Sequence, residues 1–146
     1  KLPFFLPNSW LKSPFLVYIS MQLINQASSN VCVFTLKEKQ TLTSPYFLFE
    51  LNCEVTDQLY YFISTDTSSF TSRYNKFTIV EPTDVTLDVA GQYNYRIFEQ
   101  SSASNLDPAQ TTTLLETGII KVIGASTAKT VYQPTQDTVV IYGGVD

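Results

Sequence analysis

Thirteen carboxylates, nine lysines or arginines and two thiols make up the chain's reactive inventory, and histidine is absent. That absence removes the side chain most used for proton transfer at neutral pH and the commonest metal ligand. Serine, cysteine and lysine nucleophiles thereby lose their usual activating partner. Two carboxylate groupings remain: Asp84 with Asp88, and Glu50 with Glu54 and Asp57. Pairs of this kind hydrolyse glycosides when held at a fixed separation across a cleft. Nothing in the spacing indicates a cleft, and acids at strand ends are ordinarily solvated, so no catalytic residue is expected. Without histidine, a CxxC pair or a D-x-D-x-D-G run, neither a metal nor a cofactor is expected.

Cys32 and Cys53 stand in separate strand-like runs. Buried free thiols are the commoner outcome for two such residues, and a disulfide is the alternative if the chain matures outside a reducing compartment. Arg73 follows a Ser/Thr loop and is expected to tie it, by bonding carbonyls or by pairing with Asp66 or Glu81.

The elements that must position these groups are strands. The chain has 146 residues, one domain's worth, and 15% charged residues against about 25% in an ordinary domain, with 18 Thr and 14 Ser supplying polarity instead. Its net charge is −4 and its cations are scattered, which disfavours direct binding to nucleic acid. Apolar and β-branched runs recur between polar turns: 31–37 (VCVFTLK), 46–53 (YFLFELNC), 59–64 (LYYFIS), 73–80 (RYNKFTIV), 85–89 (VTLDV), 92–99 (QYNYRIFE), 114–115 with 118–123, 130–132 and 138–142 (TVVIY). The run at 73–80 breaks alternation, so a bulge or a late start near Lys76 is expected. The first two runs read as an antiparallel pair. Residues 101–112 read as a surface loop with at most one helical turn at Asp107-Pro108-Ala109. About eight short strands without a long amphipathic helix predict an all-β domain, first a sandwich and second a small closed barrel.

Residues 1–20 are apolar but broken by Pro3, Pro7 and Pro14, too interrupted for a membrane helix or a signal peptide. They read as an extended arm or leader before a single domain at 21–146. Phe4, Phe5, Trp10 and Phe15 would seek a surface on which to bury themselves. Tyr60 and Tyr61 are consecutive, as are Tyr46 and Phe47, so one member of each pair must face away from the core. Tyr60 and Tyr61, with Val140 and Tyr142 in the last strand, are therefore contact candidates alongside the arm.

Asp88 to Tyr95 (DVAGQYNY) resembles the corner before a late strand of immunoglobulin-like sandwiches. That likeness implies that Gly91 turns the chain, that the Tyr93 ring fills the core, and that the Tyr93 hydroxyl bonds back to backbone. Tyr95 stands where antibody-type domains carry a core cysteine, which argues against their inter-sheet disulfide. Over residues 21–142 the order TSPYFLFEL, YYFISTDTS, RYNKFTIVEP, LDVAGQYNYRIFEQ, SSASNLDPA and LLETGIIKVIG resembles small structural proteins of tailed bacteriophages infecting Bacteroidetes. Arg73-Tyr74-Asn75, Gly91-x-Tyr93-x-Tyr95 and Leu115-Glu116-x-Gly118 carry the likeness. Residues 1–20 fall outside it.

The resemblance implies a virion part assembled in the bacterial host cytoplasm. It would be a non-enzymatic decoration or cement protein on the capsid, binding the major capsid protein, other virion proteins or its own copies, with no membrane partner. The rival expectation is an adhesion or carbohydrate-binding module in which Tyr60, Tyr61 or Tyr95 stacks on sugars. An enzyme has the least support.

Overall fold

The computed structural model describes residues 21–125. Its strands are β1 (Met21–Asn25), β2 (Ser29–Phe34), β3 (Tyr46–Cys53), β4 (Leu59–Ser64), β5 (Asn75–Val80), β6 (Gly91–Gln100) and β7 (Thr113–Ile123), and a single 3-10 turn spans Pro108–Gln110. The fold is all-β. The arm at 1–20 with Phe4, Phe5, Trp10 and Phe15, and the last runs with Val140 and Tyr142, lie outside the described residues.

Five strands form one mixed sheet in the order β1-β7-β6-β3-β4, and β2 pairs with β5 in a second sheet. Among the described residues the sheets do not close into a barrel, so that alternative falls. The expected β2–β3 pair also falls: β2 is antiparallel to β5, and β3 lies between β4 and β6. Alternation tells which side of a strand is buried but not who its neighbour is. Both strands present an apolar face, and the connection between them carries the chain from one sheet to the other. β1 runs parallel to β7, Met21 beside Ile119 and Asn25 beside Ile123.

A shared core binds the sheets together. On the five-stranded side, Phe47, Phe49, Leu51 and Cys53 of β3 stand opposite Glu99, Ile97, Tyr95 and Tyr93 of β6, so the inward faces of the two strands are in register. Across the core come Phe34 and Phe77 from the smaller sheet. Phe77 meets Phe47 and Phe49 edge-on at 5.0 and 5.1 Å, and Phe34 meets Tyr95 at 5.5 Å. Tilted aromatic pairs at these separations contribute about 0.5–1.5 kcal/mol each beyond the apolar area they bury. This ring cluster is why a chain with 10 Phe and 9 Tyr can afford so few charges.

Two other expectations are modified. Residues 85–89 alternate as predicted, with Val85 and Leu87 buried, but they join no ladder and lie against the core without a strand partner. β5 starts at Asn75, and its register with β2 is then unbroken to Val80. The irregularity sits elsewhere, between Ile97 and Phe98, where β6 meets β7 and an extra residue admits Leu115 to the core.

Candidate functional site

Of the carboxylates that sequence suggested for chemistry, Asp88 is exposed and has no hydrogen-bond partner among the described residues, and the other four are occupied locally. Glu54 accepts from the Gln92 and Asn94 side chains at 2.9 and 3.1 Å, and Asp57 accepts from Asn52 at 3.2 Å. Asp84 accepts from the Val80 N–H at 2.7 Å. Glu50 is buried and accepts from Arg96 Nε at 2.6 Å, the only ion pair among the described residues. Arg96 lies 5.5 Å from the Phe98 ring centre. No group of three metal-ligating side chains occurs among the described residues, and no helix there is long and apolar enough to cross a membrane.

The thiols are free and buried, Cys32 on β2 and Cys53 on β3, in different sheets. Burial pushes Cys32 up to about 11. Burial also acts upward on Cys53, but the hydroxyl and N–H of Thr56 and the N–H of Val55 outweigh it and hold the thiol below its ordinary value. With both sulfurs sealed from solvent, neither is placed to meet a substrate.

Before β6 the chain turns a corner at Gly91. The Tyr93 hydroxyl donates to the Val89 carbonyl at 2.7 Å, and Gly91 holds a φ of +151°, a conformation side chains disfavour. Two strand positions on, Tyr95 is fully buried and donates to Glu116 Oε1 at 2.7 Å. Its ring lies over Gly118, the residue opposite it on β7. Two of the motifs that carried the phage resemblance are therefore one packing unit. Burial drives the phenols of Tyr93 and Tyr95 well above their ordinary range.

Of the consecutive tyrosines, Tyr60 leans on the core with its ring 5.9 Å from Tyr93, while Tyr61 faces outward beside Glu50. Burial, then the Glu50 charge, raises the Tyr61 phenol. Tyr95 is thus removed as a sugar platform and Tyr60 is largely committed to the core. Phe47 fills the core, and Tyr46 is half-buried on the opposite face.

Arg73 is exposed and makes no ion pair with Asp66 or Glu81, a correction to the expected loop tie. Glu81 instead accepts from the N–H groups of Ala27 and Leu87. The tie is made two residues later. Buried Asn75 donates to Asp66 at 2.8 Å and accepts from the Leu36 N–H at 3.0 Å, joining the loop after β4 to the end of β2. Asp66 also accepts from the N–H groups of Ser68 and Lys76, at 2.8 and 2.9 Å. The exposed arginine carries a charge that stands out in the sequence, whereas the anchoring asparagine carries no such signal.

Burial acts upward on the Asp66 carboxyl, but the Lys76 and Ser68 N–H groups outweigh it and hold it below 3.8. Its folded pKa being the lower one, Asp66 contributes stability that is complete above the unfolded value and is lost as pH falls through the folded value. Asp66→Asn should therefore flatten the acid limb of a melting-temperature profile below about pH 4. An unaltered limb would assign the acid sensitivity to other groups.

Together these loops form a cleft. The β2–β3 connection (35–45) and the β4–β5 connection (65–74) enclose about 380 Å³ between Lys37, Gln40, Tyr46 and Asp66. A smaller recess lined by Thr35, Ser72 and Arg73 adjoins it at Lys37. On the other side of the molecule, the outer face of β1 and β7 exposes Met21, Leu23 and Ile123, with Ile119 half-buried among them. Comparison with protein-family models, with curated proteins and with solved structures returned no match.

Proposed function

We propose that this chain is a non-enzymatic structural protein of a virion, a decoration or other head-associated protein that works by surface contact with the major capsid protein, other virion proteins or its own copies. The observation that carries the reading is the apolar outer face of β1 and β7. Ile24 and Val122 point into the core, so Met21, Leu23, Ile119 and Ile123 fall on the opposite side by the two-residue period, around exposed Lys121, which stands beside Leu23. Apolar side chains grouped on one exposed face mark association surfaces. The occupied carboxylates and sealed thiols favour the same reading over catalysis.

An immunoglobulin-like Greek-key sandwich is the architecture we assign to this role. Strands two and five pair on one side and strands three, six and seven lie adjacent on the other, as in that fold, while β1 and β4 extend the larger sheet. The Tyr93 corner at the start of the sixth strand supports it independently.

Leu23→Asp places a charge on the proposed face without touching the core. It should abolish self-association in sedimentation and prevent incorporation into particles, while the melting temperature changes little. Imaging particles from the host that makes this chain should find it in symmetry-related copies on a shell. Particles lacking it, or a monomer indifferent to Leu23→Asp, would reject the reading.

A further inference from the structure

The cleft between the β2–β3 and β4–β5 connections has the chemistry of a carbohydrate site, and we propose that it binds a single neutral sugar unit. This stands apart from the virion reading, since it concerns the other end of the fold and needs no assembly. Its volume, about 380 Å³, falls within the range of small-ligand sites. Its lining departs from that of most such sites in being chiefly polar. Thr43, Ser44, Thr65 and Thr71 bring hydroxyls, Lys37 an ammonium, and Asp66 a carboxylate. Sugar hydroxyls both donate and accept, so a surface offering both kinds of partner suits them, whereas an anion would meet Asp66 and a cation Lys37. Tyr46 supplies an aromatic ring on the same wall.

The hydroxyls and the ammonium facing the cleft are free, whereas Gln40 donates to the Leu42 carbonyl at 2.7 Å and Asp66 already accepts from Ser68, Asn75 and Lys76. Thr41 and Thr67 donate their hydroxyls to Glu99 and to the Lys76 carbonyl. The side chains of Lys37, Thr43, Ser44, Thr65 and Thr71 have no hydrogen-bond partner among the described residues. Both walls are also fixed from beneath. Buried Glu99 accepts from the N–H groups of Thr41 and Leu42, and Asp66 with Asn75 holds the facing loop. Polar loops anchored this way lose little entropy when a ligand arrives, which is the condition for binding a small hydrophilic molecule.

The test is a titration of the isotope-labelled 146-residue chain with D-glucose, D-galactose, D-mannose and N-acetyl-D-glucosamine, each to about 50 mM because single-sugar affinity near 1 mM is expected. At least one sugar should give saturable amide shifts confined to residues 37–46 and 65–71. Lys37→Ala and Thr71→Val, both at exposed positions, should each weaken that binding fivefold or more with the fold intact. No saturable shift with any sugar, shifts centred on Tyr61, an equal response to glycerol, or unchanged affinity in both variants would each overturn the assignment.

Discussion

Replacing Gly118 with alanine should destabilise the domain by about 3 kcal/mol, lowering its melting temperature by roughly 6–10 °C. Alanine is normally the better residue inside a strand, by about 0.5–1 kcal/mol, because glycine gives up more chain entropy on folding. The sign reverses here because a Cβ at position 118 would lie 2.6 Å from the Tyr95 hydroxyl oxygen and 2.7 Å from two ring carbons. The ring has no route of retreat. It is fully buried, its hydroxyl is bonded to Glu116, and Phe34 stands edge-on against it. Tyr95→Leu should remove the obstruction at the cost of a cavity, so the double variant should be more stable than the sum of the two single losses predicts. Additive losses, or a Gly118→Ala protein melting with the parent, would show that the two residues do not depend on each other.

That dependence accounts for a spacing that is opaque in sequence. Gly118 stands 23 positions beyond Tyr95, and only the β6–β7 register sets them opposite each other. The glycine leaves the space and the aromatic ring fills it, which restores packing that a glycine strand position otherwise lacks. Tyr95 is held in the core by ring packing and one hydrogen bond.

Alternation was sufficient for the strongest strands. Residues 46–53 and 59–64 match β3 and β4 residue for residue, because aromatic and β-branched side chains crowd those runs and polar turns bound them. β1 gave no such signal. Its five residues, MQLIN, bury Ile24 alone, and their pairing with β7 depends on chain a hundred residues away. The mistaken β2–β3 pair and the unpaired stretch at 85–89 have one cause: burial on alternate residues is a property of a strand's two faces, whereas pairing is decided along its edges.

Candidate sites were legible where the chemistry was local. The Tyr93 corner closes over four residues, from Tyr93 back to Val89, within one short stretch of sequence. The cleft joins Lys37 and Tyr46 to Asp66 and Thr71 from separate loops, and no sequence pattern announces that meeting. Charge was a poor guide to the polar anchors. Arg73 is exposed, while nothing in the sequence around buried Glu99 announces the donors it binds.

Glu99 should prove the costliest of the polar side chains to remove. It has no solvent exposure, and its two oxygens accept from the Thr41 N–H at 2.9 and 3.0 Å, from the Leu42 N–H at 3.1 Å and from the Thr41 hydroxyl. A buried carboxylate without a cation is tolerated when N–H and O–H donors surround it. Glu99→Ala leaves those donors without an acceptor and opens a cavity, and each unsatisfied buried donor costs about 1–3 kcal/mol, so a total loss of about 4 kcal/mol is expected. Glu99→Gln keeps the shape but turns an NH2 group toward donors, and about 2 kcal/mol should go. Amide exchange separates this anchoring role from a general weakening of the fold. In the glutamine variant the Thr41 and Leu42 amides should exchange far faster, while the amides of β3 and β6 keep protection in proportion to global stability. Uniform acceleration across the domain would mean that Glu99 supports the core as a whole. Selective acceleration, accompanied by loss of sugar binding at the cleft, would mean that a buried acid holds the wall of that site in place.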